Sequence, residues 1–390
     1  MKISKMANKV HPSLTRRLFD KAKQYDNVID FTLGDPDYMT PEHIRKAGCD
    51  AIMAGKTKYS ANAGLIELRK VIAENIYKET GISYDPASEI MITVGAMEAL
   101  YLALCCLIDP EDEVIIPAPY WINYEHMTLM CGGTPVIVDS SEENDFIVDI
   151  EDIKKAITEK TTAIIINSPN NPTGTVYDER TLRELVELAK KHDFVILWDE
   201  CYKTLVYDDA KFTSIMFDES VKDHVVVINS CSKKYSMTGW RLGYAAAPSI
   251  LVPNMSKLQE NIAACASVPS QYAAIAAYTG GEEATDRMRE GFKSRRDVLI
   301  EGINQIEGLS CKKPKGTFYA FVNIKSLNMS SEEFAFRLLD SKQVAVVPGI
   351  TYGKCCEGYI RMAYTMNEDK IADGVQRIKA FVEELKKEGR

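Results

Sequence analysis

Two adjacent lysines and an arginine stand among small and apolar residues in "SCSKKYSMTGWRLG", residues 230–243, directly after the strand-like "HVVVIN". A lysine that is to form a covalent Schiff base must shed its proton, which neighbouring cations and partial burial promote. An arginine fork is suited to a phosphate. Ser230 and Arg241 flank Lys233 closely enough in sequence to share one anion site. If the segment enters a helix, Lys233 and Lys234 diverge and only one faces a cleft; Lys233 is the candidate. Read locally, the pair would equally serve as solvated lysines at a helix start.

Three other stretches carry comparable chemistry. Asp199 closes the run "VILWD", and a buried carboxylate is costly without a cation or hydrogen bonds. It would either cap the following helix or face the protonated ring nitrogen of a cofactor, with Tyr202 reaching a neighbouring oxygen. In "SPNNPTG", residues 168–174, two prolines fix the backbone and Gly174 permits a sharp turn. That stretch is a plain turn or a clamp that fixes the amide of Asn171. In "TVGAMEAL", Gly95 lets the amides of Ala96 and Met97 open a helix N-terminus, which attracts anions. Trp121 is either core or a flat wall for an aromatic ring.

These residues need a frame, and the apolar pattern supplies one. Continuous apolar runs occur at 89–94, 112–117, 161–167, 193–199, 224–229 and 241–248. Runs of this length without period-two alternation suit strands buried on both faces of a mostly parallel sheet. Residues 179–192 between them have helical spacing, with Leu182, Leu185 and Leu188 on one side. Beyond a long helix near 280–308, strand candidates at 316–324, 343–349 and 358–365 precede a terminal helix at 369–387, which predicts a smaller α+β unit. The expected division is an N-terminal segment 1–45 packing with the small domain, a large domain 46–282 and a small domain 283–390. The unusual polar residues follow the carboxyl ends of five predicted strands, where open α/β sheets bind ligands.

Composition narrows the function further. The 390 residues, with 46% hydrophobic and 26% charged, are those of a globular protein, and the net charge of −9 argues against nucleic acid or an anionic membrane as partner. The N-terminus lacks the apolar core of a signal peptide, and no apolar run is long enough for a membrane span. Ten cysteines without C-x-x-C and five scattered histidines give no metal-ligand spacing, so reduced thiols in the cytoplasm are expected.

Taken in order and spacing, "SPNNPTG", "DECY" and "SCSKKYSMTGWRLG" resemble the class I/II, aspartate-aminotransferase-like branch of fold-type I pyridoxal-phosphate enzymes. The resemblance extends from "DFTLGDPDY" to "GYIRMAYT". It implies a seven-stranded, mostly parallel sheet between helices with a smaller α+β domain, and pyridoxal 5'-phosphate as cofactor. Lys233 would bond the cofactor's aldehyde and then shuttle the proton, and Asp199 would pair with the ring nitrogen. Asn171 and Tyr202 would bond the phenolic oxygen, and Trp121 would stack on the ring. Gly95, Ala96, Met97, Ser230 and Arg241 would hold the phosphate, joined by Tyr59 from the neighbouring subunit of a homodimer. Arg361 would bind the substrate α-carboxylate, helped by Asn171 and Gly34. The implied activity is ping-pong transfer of an amino group from an L-amino acid to a 2-oxo acid, 2-oxoglutarate being the expected acceptor.

Two departures bear on the substrate. Met97 stands where some relatives acting on acidic substrates place a cation, and 264–277 has no arginine for a side-chain carboxylate. A neutral or aromatic amino donor is therefore compatible. Cys201, where relatives more often carry an aliphatic residue or alanine, is expected to leave the chemistry unchanged. A carbon–sulfur β-lyase would use the same lysine, aspartate and arginine, but "MTGWRLGY" looks more like the aminotransferases. A non-catalytic regulator built on this fold would need a DNA-binding domain before "FTLGDPDY", for which residues 1–30 leave no room.

Overall fold

The protein is described by a computed structural model covering residues 2–10 and 14–388, so residues 1 and 11–13 of the expected N-terminal segment lie outside the described residues. Its centre is a seven-stranded sheet built from β1 (Ile90–Thr93), β2 (Glu113–Ala118), β3 (Thr134–Asp139), β4 (Thr161–Asn167), β5 (Val195–Asp199), β6 (Val225–Ser230) and β7 (Gly243–Ala246). Their spatial order is β1-β7-β6-β5-β4-β2-β3. Strands β2 to β6 run parallel, while β7 is antiparallel to both of its neighbours.

The continuous apolar runs have the physical cause expected of them. Side chains alternate across a strand, and helices cover both faces, so odd and even positions are buried alike. Ile164, Ile166, Ile196, Trp198, Val225 and Val227 belong to one core, whereas Ala163, Ile165, Leu197, Val226 and Ile228 belong to the core on the opposite face. Helix 179–192 forms at its expected bounds because Asp178 accepts from the Thr181 amide at its start, and Asp193 ends it in the left-handed conformation.

Two features of this sheet differ from the sequence expectation. Strand β3, "TPVIVD", is an additional edge strand; only Val138 in it is buried, and Pro135 is tolerated because an edge leaves one row of amides unpaired. Strand β7 begins at Gly243 rather than 241, because Arg241 adopts φ 51° and cannot extend the ladder. Its reversed direction places its first residue at the carboxyl edge of the parallel strands, level with Ser230 on one side and Thr93 on the other.

The second unit has a three-stranded antiparallel sheet, β8 (Tyr319–Asn323), β9 (Val347–Pro348) and β10 (Tyr359–Ala363), in the order β9-β10-β8. Its own apolar core includes residues of helices Glu283–Asn304, Ser331–Lys342 and Glu368–Lys387. Ile360 and Met362 of β10 enter that core. By alternation Arg361 points the other way. Ile29 and Asp30 pair in parallel with Val344 and Ala345, tying the N-terminal segment to this unit and bringing residues 32–35 to the rim of the central sheet.

Candidate active site

A cavity of about 540 Å³ opens at the carboxyl edge of the central sheet. Gly34, Ala96, Met97, Trp121, Asn171, Asp199, Tyr202, Ser230, Lys233, Arg241 and Arg361 all line it. Gly95 lies directly beneath the Arg241 guanidinium. Tyr59 stands apart from the cavity with 87% of its surface exposed.

Lys233 sits on a single helical turn, Cys231–Lys234, that begins where β6 ends. Its Nζ donates to the Gly34 carbonyl at 2.7 Å and stands 5.6 Å from the ring centroid of Phe318. Lys234 leaves in another direction and pairs with Glu282 at 2.9 Å. A single turn separates the two ammonium groups because successive helical residues diverge by about 100°.

Asp199 ends β5, in register with Asn167 at the end of β4. It is a buried carboxylate with two hydrogen-bond donors: the Tyr124 hydroxyl reaches Oδ2 at 2.7 Å and the Cys201 amide reaches Oδ1 at 3.0 Å. Burial pushes its pKa above the usual carboxylate range, while those donors and the Lys233 charge pull it back. Burial also holds the Tyr124 phenol well above its ordinary value, so Tyr124 remains a donor. Asn167 donates to the Asp199 carbonyl at 3.0 Å and accepts the Asn171 amide at 2.8 Å. The proline-framed loop is thereby pinned to the strand that carries the carboxylate.

The anion cradle is assembled from three segments. The Arg241 guanidinium passes so close to Gly95 that a Cβ there would lie 2.6 Å from Nη2. Gly95 has φ 76°, so both conformation and space require glycine. Gly243 is equally constrained: a Cβ there would meet the Ala96 amide nitrogen at 2.6 Å. Behind the cradle, Asn229 donates to Glu200 at 2.9 Å and accepts the Ser230 amide at 2.7 Å, which fixes the Ser230 backbone and directs its hydroxyl. That hydroxyl donates to the Cys201 sulfur at 3.6 Å.

Arg361 enters from the other sheet. Nη1 donates to the Asn171 side-chain oxygen at 3.2 Å and Nη2 to the Thr32 carbonyl at 2.6 Å. Nε is buried and, among the described residues, has no hydrogen-bond partner. Tyr319 lies 4.4 Å from the guanidinium and also shares a 3.2 Å hydroxyl contact with Tyr202. Trp121 stands edge-on to Tyr124, with ring centroids 5.6 Å apart.

Tyr124, Asn167, Tyr319 and Thr32 are absent from the residues that the sequence singles out. Asn167 could have been found, since it ends an apolar run as Asp199 does. Tyr124 follows Trp121 by three residues at the same sheet edge, a weak signal. Tyr319 and the Thr32 carbonyl act through tertiary contacts that no local pattern reveals.

The Tyr124 bond has a measurable consequence. Tyr124 donates to the charged form of Asp199, so Tyr124→Phe should raise the Asp199 pKa. If turnover requires the ionised carboxylate, the acid limb of the kcat–pH profile moves to higher pH. An unmoved limb in a folded variant would show that Tyr124 does not govern this carboxylate.

The sequence profile described as aminotransferase class I and II matches residues 26–378. The chain is 42% identical to a putative aminotransferase, YugH, of Bacillus subtilis, over 97% of this chain and 98% of the relative. It is 38% identical to aromatic-amino-acid aminotransferase 2 of Thermococcus litoralis, over 99% of this chain and all of the relative. Among solved structures, it is similar to the aspartate aminotransferase of Thermus thermophilus with maleate, with TM-score 0.93, 34% identity, and coverage of 97% and 99%. The fold is that of a fold-type I transferase. The chain belongs to the class I and II aminotransferases and is an enzyme of amino-group transfer.

Proposed function

We propose that the cavity binds pyridoxal 5'-phosphate and that the enzyme passes the amino group of a neutral, preferably aromatic, L-amino acid to 2-oxoglutarate in a ping-pong cycle. The observation that carries this reading is the meeting in one cavity of groups from three separate segments: Asp199, Lys233 with the Ser230–Arg241 cradle, and Arg361.

The residues fit the cofactor chemically. A cationic cradle floored by Gly95 suits a phosphate, and a buried carboxylate opposite suits a protonated ring nitrogen. When bound, pyridoxal phosphate supplies an aldehyde that captures the amino group and a ring that accepts electrons from the α-carbon. Ser230, Arg241 and the amides of Ala96 and Met97 hold the phosphate. Asp199 holds a proton at the ring nitrogen. Tyr202 and Asn171 orient the phenolic oxygen, with Trp121 against the ring. Arg361 binds the α-carboxylate and so turns the α-hydrogen toward Lys233. Lys233 Nζ would take that proton. It is held in place beforehand by the Gly34 carbonyl, so little reorganisation accompanies the transfer.

The donor class follows from a charge inventory. Among the described residues that line the cavity, the cations are Lys233, Arg241 and Arg361, and each already has a role. None remains within this subunit for a side-chain carboxylate of the donor. Leu33, Met97, Trp121 and Tyr352 offer apolar wall, and Thr15 and Asn123 are neutral donors that would hold the second carboxylate of 2-oxoglutarate, or of an acidic donor, more weakly than an arginine.

The remaining surroundings are part of the same reading. Tyr59, exposed on this subunit, reaches the phosphate of a second copy in a homodimer. Among the described residues no helix is long and apolar enough to cross a membrane, and the ten free cysteines fit a cytoplasmic enzyme. The test is a panel of single amino donors with 2-oxoglutarate. Phenylalanine or tyrosine is expected to exceed aspartate in kcat/KM by about tenfold or more, with glutamate formed and no ammonia. A preference for aspartate would overturn the donor assignment, and repeated release of ammonia and pyruvate from cysteine or cystathionine would favour the carbon–sulfur lyase.

A further inference from the structure

Two cysteines far from the proposed chemistry stand in direct contact. Cys105, near the end of helix Gly95–Leu107, and Cys131, directly after helix Asn123–Met130, bring their sulfurs to 3.3 Å across 26 residues of sequence. Both residues are half-buried, whereas Cys231, Cys311 and Cys356 are buried. Either sulfur can donate across this contact; with Cys131 as donor the bond, aided by the Tyr101 hydroxyl against the opposing effect of burial, lowers the Cys105 pKa to about 7. Cys131 is held up and protonated by the same bond. A nucleophilic thiolate thus has its resolving thiol already in contact, the arrangement of a redox-reactive pair.

We propose that Cys105 and Cys131 form a reversible oxidation site that reacts with peroxides to give an intramolecular disulfide. The Cys105 thiolate attacks one peroxide oxygen, the O–O bond breaks and hydroxide leaves, giving a sulfenic acid. The Cys131 sulfur then attacks the Cys105 sulfur; the S–S bond forms, the S–O bond breaks, and the departing hydroxide takes the Cys131 proton as water. Overall, two thiols and hydrogen peroxide give one disulfide and two waters, with sulfur oxidised and peroxide oxygen reduced. Cys106 is a poor competitor, because burial raises its pKa to about 11. The Cys355–Cys356 sulfurs lie 3.7 Å apart, but the residues are adjacent and Cys356 is buried, so a bridge there is both strained and shielded.

The bridge would tie the helix whose first turn borders the anion cradle to the helix that carries Tyr124. Closing a chain segment this long restricts the unfolded state, so the oxidised form should unfold at a higher temperature than the reduced form.

The test uses the full-length protein treated with hydrogen peroxide, quenched, and digested with a glutamate-specific protease. Glu111, Glu113 and Glu125 lie between the two cysteines, so the digest separates them unless they are bridged. The expected result is a Cys105–Cys131 linked peptide pair that dithiothreitol abolishes, with a raised unfolding temperature. Cys131→Ser should leave Cys105 as a sulfenic acid captured by dimedone, without the thermal gain. Unreacted thiols, Cys105 over-oxidised to sulfinic acid without a link, or Cys105 bridged to Cys106 or to another molecule would each overturn the proposal.

Discussion

Replacing Lys233 with alanine should lower kcat by about 10⁴-fold or more, because the group proposed to bond the aldehyde and to move the α-proton is the same amine. The side chain is half-buried, donates to the Gly34 carbonyl and offsets part of the Asp199 charge, so its loss should cost some stability while leaving the fold in place. The variant should therefore fold and still retain pyridoxal phosphate through the Ser230–Arg241 cradle. Stopped-flow measurement with a good amino donor separates the effects: binding should persist while release of the oxo acid all but ceases. Lys233→Ala with more than a few per cent of normal turnover would show that another group carries the proton.

The second large effect is expected at Asp199. Removing one partner of a buried charge arrangement costs about 3–5 kcal/mol. If that cost falls on the reacting state, Asp199→Ala should slow turnover a few hundred- to a few thousand-fold, by about one factor of ten for each 1.36 kcal/mol. The loss has a defined origin, since the Tyr124 hydroxyl and the Cys201 amide would both lose their acceptor. Asp199→Asn distinguishes charge from packing. The amide keeps the volume and one acceptor oxygen, so this variant should fold with near-normal stability and remain nearly as slow as the alanine variant. Normal turnover by Asp199→Asn would remove the ring-nitrogen role.

Much of the central sheet was legible because burial on both faces imposes continuous apolar runs, as in Thr161–Asn167, where strand and run coincide. Strand β3 was not, since an edge strand with Pro135 and a largely exposed surface lacks that pattern. The antiparallel direction of β7 was also hidden, because apolar character carries no information about chain direction. At the site, Asp199, Ser230 and Lys233 could be read from their places at strand ends. Arg361 could be read only through the family resemblance: it lies on a separate sheet and meets Thr32 across 329 residues of sequence. Tyr124 meets Asp199 across 75 residues. Contacts of that kind depend on how the two units and the N-terminal segment come together, which the periodicity of any one segment does not encode.

The most direct test of the central claim is a visible-absorption titration of the purified enzyme, reconstituted with pyridoxal phosphate, with one amino donor and no acceptor. The account predicts that the absorption of bound cofactor bleaches as one equivalent of 2-oxo acid per site appears, without ammonia, and returns when 2-oxoglutarate is added. Protein that binds no pyridoxal phosphate, or that bleaches with continuing ammonia release instead of a single equivalent of oxo acid, would contradict it.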